Sequence, residues 1–290
     1  MKDLLKELEL HCNAQILENI ARALHSAYQP FLLDVQIWQI IEKVFPENLL
    51  EIVRPYKKTL LGHDLVNDLV LKYYPAEMQI KYHFAKKYLN RKNEIITFEL
   101  NVNNSRLDIA RINGISYAYE IKTELDTLDK LEKQIQDYAL VFEYIYVLIH
   151  PKHLKGALSK IPDYVGVITY NLNETSCKFH FKRKASKNVD LDSKTQLQIL
   201  TAKELEFFLK HTNASISMPA SRLQKEEWIL RHYDEKKINT LFKEVLKKRF
   251  DKKWSFLCDH FDQINPIDIQ VFFKTSANPK WVYYKNSSIV

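Results

Sequence analysis

A chain of 290 residues, 46% hydrophobic and 27% charged, has the length and balance to bury a sizeable core in one large domain or two modest ones. Its net charge of +7 and pI near 9.0 suit a polyanionic partner without demanding one. No apolar run approaches the roughly eighteen residues of a membrane span, and Lys2, Asp3, Lys6, Glu7 and Glu9 interrupt the first leucines, which excludes a signal peptide and predicts a cytoplasmic protein with no membrane partner. Cys12, Cys177 and Cys258 are odd in number and far apart, so a disulfide framework and a four-cysteine metal site are excluded in favour of free thiols.

The first element is an amphipathic helix over 3–28, with Leu4, Leu8, Ala14, Leu17, Ala21 and Leu24 on its apolar side. Prolines 30, 46, 55 and 75 then punctuate shorter helical patterns, making residues 1–75 a helical N-terminal region. From residue 76 the period changes. "AEMQIKYHFAKKYL" reads as a helix, and "EIITFEL", "SRLDIARI" and "ISYAYEIK" read as three short strands separated by Asn103, Asn104, Asn113 and Gly114. A helix over 127–142 follows, capped by Asp126, with Leu128, Leu131, Ile135, Tyr138 and Phe142 as its apolar stripe.

"YIYVLI" and "YVGVITY" add two strands, joined by a helical connection through Leu154 and Leu158. "HPKH" at 150–153 offers two imidazoles but no further ligand at a useful spacing, and is better read as the opening of that connection. "CKFHFKRK" supplies an edge strand, and 185–193 a polar loop. The order is that of an α/β domain over 76–192, a central sheet flanked by helices. Residues 193–290 return to helix, starting from a capping box at Thr201 and Glu204. There "FKEVLKKRFDKKW" gathers Lys243, Lys247, Lys248, Arg249, Lys252 and Lys253, either a solvated face or a phosphate-binding one.

The strand at 115–122 is unusual because Glu120 and Lys122 share a face with Ser116 and Ala118, while Ile115, Tyr117, Tyr119 and Ile121 share the other. In the preceding strand Arg106, Asp108 and Ala110 alternate with Leu107 and Ile109, so a hairpin brings Asp108 toward Glu120. Two converging carboxylates repel unless a cation lies between them, and hard oxygen ligands suit Mg²⁺ or Mn²⁺. The backbone carbonyl of Ile121 is a further oxygen, and Lys122 stands beside a metal-bound water. The bland alternative is a structural Glu120–Lys122 pair with Asp108 unrelated to it.

Asp108 followed by Glu120, Ile121 and Lys122, twelve residues on, resembles the motif of the PD-(D/E)XK, or restriction-endonuclease-like, nuclease superfamily, although Leu107 replaces its proline. More narrowly, "YEIKTELDTLDKLEKQIQDY" is similar to a little-characterised bacterial family with a Y-E-I-K strand and a Q-x-x-x-Y helix. The likeness covers about 77–170. It implies a restriction-endonuclease-like mixed sheet and metal-dependent hydrolysis of phosphodiesters, in DNA rather than RNA. It further implies that Asp108, Glu120, Lys122 and Gln134 are catalytic and that Asp108, Glu120 and Ile121 hold the ion, joined by Glu77, with Glu99 as the competing acid. Tyr138 matches the end of the Q-x-x-x-Y motif. Arg106, Tyr138, Lys182, Arg183, Lys184, Lys247, Lys248 and Arg249 would hold nucleic acid. No helicase motif accompanies the core, so unwinding or targeting would need a protein partner. Two other readings stay open: a nucleic-acid-binding protein that cuts nothing, and a protein-interaction module that uses the helical flanks.

Overall fold

The computed structural model describes residues 1–74, 77–173, 176–210 and 221–283. The boundary expected between residues 75 and 76 lies outside them. The chain forms two compact units, the first made of Met1–Leu89, Leu172–Cys177 and Phe256–Val290, the second of Asn90–Asn171 and Lys178–Ser255.

The first unit carries Lys2–His11 (α1), Ala14–Ala27 (α2), Asp34–Val44 (α3), Glu47–Val53 (α4), Gly62–Tyr73 (α5) and Glu77–Lys86 (α6). Leu8, Leu24, Trp38, Ile41 and Leu69 are among the side chains that close its core. The single helix expected over 3–28 is two. The Cys12 N–H ends α1 on the Leu8 carbonyl, and Asn13 restarts the chain as an N-cap whose side chain accepts from the Ile16 N–H at 3.0 Å.

The second unit is built on a six-stranded mixed sheet whose spatial order follows the chain: Ile95–Val102 (β1), Ser105–Ile112 (β2), Ser116–Lys122 (β3), Tyr144–Ile149 (β4), Gly166–Leu172 (β5) and Cys177–Arg183 (β6). β1, β2 and β3 form an antiparallel meander, and β4 and β5 continue parallel to β3. Those parallel steps need crossovers, supplied by Leu131–Ala139 (α7) and Leu154–Leu158 (α8). Every strand coincides with a stretch that reads as a strand in the sequence, although β1 runs on to Val102 and β5 to Leu172.

The helix expected over 127–142 is shorter. Asp126 does not cap it; its carboxylate accepts from the Thr123 N–H at 2.7 Å and the Thr123 hydroxyl at 2.5 Å, closing a turn that delays the helix to Leu131. Ser193–Gln198 (α9), Ala202–Lys210 (α10), Arg222–His232 (α11) and Glu235–His260 (α12) follow, and the capping box at Thr201 and Glu204 is formed. Ile269–Thr275 (α13) and Pro279–Val282 (α14) complete the described chain.

One sheet face, through Ala110, Ala118, Ile145 and Val147, packs on Ile135 and Tyr138 of α7 and on Leu205, Phe208, Leu241 and Phe242 beyond them. The opposite face carries a tyrosine ladder, with Tyr117 on Tyr144 and Tyr119 on Tyr146 at centroid distances of 5.3 and 5.4 Å. Among the described residues no helix is long and apolar enough to cross a membrane.

Candidate functional site

The site begins with a fault in the sheet. β1 and β2 pair Thr97 with Ala110 and Phe98 with Ile109, then Leu100 with Leu107; the row between, Glu99 opposite Asp108, is skipped. Glu99 has φ +56°, a left-handed conformation that a residue with a Cβ adopts only at a cost of about 1–2 kcal/mol. Ala110 and Ile112 lie in the core beside α7, and so does Leu107, an odd number of residues away. In an unbroken strand those positions face opposite ways, so side-chain alternation reverses once, at Glu99 and Asp108.

The same fault parts β2 from β3. Their last backbone pair is Ile109 with Tyr119, and beyond it Asp108 Oδ2 accepts the Ile121 N–H at 2.6 Å in place of a ladder bond. On the other edge of β3, the Lys122 carbonyl accepts from the His150 N–H at 2.8 Å. A residue's N–H and C=O point to the same edge of a strand and neighbouring residues alternate, so the Ile121 carbonyl opens into the gap beside Asp108. Glu99 and Asp108 offer carboxylate oxygens within 4.8 Å of each other. Glu99 also pairs with Arg106 at 2.5 Å, so the Arg106 guanidinium, mostly exposed, is tied to the site rather than loose on the surface.

Glu120 and Lys122 project from β3 toward α7. Glu120 is buried at 2% exposure, and its two oxygens are held separately: Oε1 by the Lys122 ammonium at 2.7 Å, Oε2 by the Tyr138 hydroxyl at 2.7 Å. The ammonium also donates to Gln134 Oε1 at 2.9 Å. That accounts for two of its three N–H groups, and among the described residues the third has no acceptor. Gln134 and Tyr138, one helical turn apart, thus bracket the Glu120–Lys122 pair from α7. Burial, then the negative charge of Glu120 and the bond to it, push the Tyr138 hydroxyl well above its usual range, so it remains a donor at any physiological pH.

α7 is itself pinned to the β1–β2 turn by Asp137, which is 2% exposed and accepts from Ser105 at 2.6 Å and Lys133 at 2.7 Å. Burial acts upward on its carboxyl, but those two hydrogen bonds, the charge of Lys133 and a bond from Asn103 together hold the group below its ordinary value. Sequence reading passed over this residue; the i, i+4 spacing of Lys133 and Asp137 was the available signal.

Glu77 lies in the first turn of α6, in the first unit, and pairs with Lys81 one turn on. Lys182 and Lys184 are exposed near the edge strand, whereas Arg183 between them is spent on structure: it donates to the Val165 carbonyl at 2.8 Å, to Asp163 at 2.9 Å and to the Pro162 carbonyl at 2.9 Å. On α12, Lys248 is exposed and Lys247 half-buried, while Arg249 is clamped to Glu204 at 2.7 and 2.5 Å and to the Ile199 carbonyl at 3.1 Å.

A family model described as Bacteriophage P4 protein cII matches residues 75–272, which takes in the whole of the sheet and the site. Protein cII of Enterobacteria phage P4 is 28% identical over 112 residues, 39% of this chain and 42% of that relative. The aligned region is therefore less than half the length of the curated relative. No solved structure matches. Because the family match extends over more than half of the 290 residues, the chain belongs to the phage P4 cII family.

Proposed function

We propose that the chain is a metal-dependent nuclease with a restriction-endonuclease-like core, acting on phosphodiesters of DNA. The observation that carries this reading is the Lys122 ammonium, fixed at 2.7 Å from Glu120 and 2.9 Å from Gln134 with one N–H to spare, beside the gap that Asp108 spans. Asp108 and Glu99, with carboxylate oxygens within 4.8 Å of each other, together with Glu120 and the Ile121 carbonyl contributed by β3, make up a hard oxygen set of the kind that Mg²⁺ or Mn²⁺ takes. When bound, such an ion polarises a phosphate oxygen and acidifies a water. Lys122 then offers its remaining N–H to the attacking water or to the charge growing on the phosphate. Gln134 keeps the ammonium aimed, and Tyr138 keeps Glu120 in one rotamer.

The contacts of Glu120 favour a second reading. Both of its oxygens are satisfied inside the protein, as in a core that binds nucleic acid and cuts nothing. The deciding experiment incubates the wild type and Lys122→Ala with linear, circular, single-stranded and branched DNA, and with RNA, in Mg²⁺ and in Mn²⁺. Cleavage by the wild type, reduced on the order of a hundredfold or more in the variant, is the expected result. Cleavage retained in full by the variant refutes the site. Tight, steeply salt-dependent binding with no cleavage of any substrate establishes the second reading.

A further inference from the structure

In the second unit, a cavity of about 530 Å³ lies among side chains of α10 and α12, on elements that contribute nothing to the Asp108–Lys122 site. Lys203, Glu206, Phe207 and Lys210 reach it from α10, at the i, i+3, i+4, i+7 spacing of one helix face; Val245 and Lys248 reach it from α12. Its acids are already neutralised. Glu204 is held by Arg249 at 2.5 Å and Glu206 by Lys225 at 2.8 Å. What remains is three exposed ammonium groups, Lys203, Lys210 and Lys248, for which no ion pair occurs among the described residues. The cavity also has an apolar wall of Phe207 and Val245, with the Lys248 Nζ 5.7 Å from the Phe207 ring centroid.

We infer that this cavity seats a nucleotide of a single-stranded nucleic acid, its phosphates drawn by Lys203, Lys210 and Lys248 and its base or sugar laid against Phe207 and Val245. Exposed cations without a close ion-pair partner, beside an aromatic side chain, are the two parts that single-strand recognition combines. A lone phosphate would use the charges and leave the apolar wall wet. The volume falls within the range of cavities that enclose a small organic ligand, roughly 300–1,000 Å³. Arg249 is tied into the scaffold of the seat, because Glu204 and the Ile199 carbonyl take its Nε–H and both Nη2–H groups. The inference does not depend on cleavage at Lys122.

The test measures fluorescence anisotropy of a labelled oligothymidylate of about 16 nucleotides, in EDTA, titrated with the full chain at several salt concentrations. Lys203→Ala/Lys248→Ala is expected to weaken binding and to flatten the salt slope by about 0.7 for each phosphate that the variant no longer neutralises. Phe207→Leu is expected to weaken it roughly 5- to 100-fold, and Phe207→Trp to retain it. The lysines are surface residues, so the double variant decides the matter even where a change at the partly buried Phe207 disturbs folding. Unchanged affinity and slope in the lysine variant overturn the inference. So does competition by dextran sulfate or a phosphopeptide at equal strength, with Phe207→Leu indifferent, which would make the cavity a general anion site. The nuclease reading fails on a different observation, the Lys122→Ala cleavage assay, so the two outcomes are separable.

Discussion

Tyr138→Phe removes one oxygen atom from a fully buried ring and leaves the packing of α7 on the sheet intact. The hydroxyl it deletes donates to Glu120 Oε2 at 2.7 Å and lies 3.1 Å from the Arg106 carbonyl. A hydrogen bond to a charged acceptor contributes about 1.5–3 kcal/mol, more than a neutral one, because the carboxylate deprived of it is shut away from water. Glu120 keeps Lys122, so the full cost of an unpaired buried charge, about 3–5 kcal/mol, is not reached. Tyr138→Phe is therefore expected to lower unfolding free energy by about 2 kcal/mol, read as a fall in urea midpoint at unchanged slope. A double-mutant cycle with Glu120→Gln should return a coupling of at least about 0.5 kcal/mol, since the two groups touch. A loss below about 0.5 kcal/mol, or additive single variants, would refute the claim that Tyr138 holds Glu120 in place.

Two further outcomes concern parts remote from that network. Burial pushes the Asp268 carboxyl up to about 7 from 3.8, against the pull of hydroxyl bonds from Tyr283 at 2.6 Å and Tyr28 at 2.9 Å. Between those values the folded chain binds the extra proton, so this group's contribution to stability falls as pH rises from about 4 to about 7 and is flat above. Asp268→Asn should remove that fall in unfolding midpoints measured across the range, and an unchanged pH profile would contradict it. A Cβ at Gly166 would collide with the Tyr146 ring. Gly166→Ala should cost about 1–3 kcal/mol as overpacking, and adding Tyr146→Ala should return part of the loss; a fully stable single variant would refute the collision.

The meander and the shared face of Glu120 and Lys122 were legible because side-chain type alternates with period two, small and charged residues on one face and aromatic or aliphatic ones on the other, although both faces of β3 are buried. The gap between Leu8 and Ala14 in the apolar spacing was the trace of the break at Asn13, easily bridged by a reader seeking one long helix. Asp126 misled for a physical reason: an aspartate caps a turn as readily as a helix, and only the Thr123 backbone decided which. The reversal at Glu99 left no mark, since a left-handed glutamate is dictated by its surroundings rather than by its own preference. Charge runs were the least informative of all. Lys182–Lys184 and Lys247–Arg249 look uniform as letters, yet both arginines are consumed by acceptors that come from elsewhere in the chain.

The bond from the Ile121 N–H to Asp108 has a spectroscopic consequence. Its neighbours in β3 exchange their amide protons at rates set by the opening of backbone ladders, but this amide is guarded by a side chain. Its chemical shift and its exchange rate are therefore a natural reporter on that one carboxylate. In a ¹⁵N-labelled sample, any cation or phosphate that draws Asp108 away would move the Ile121 resonance ahead of the rest of the strand, with no label placed near the site.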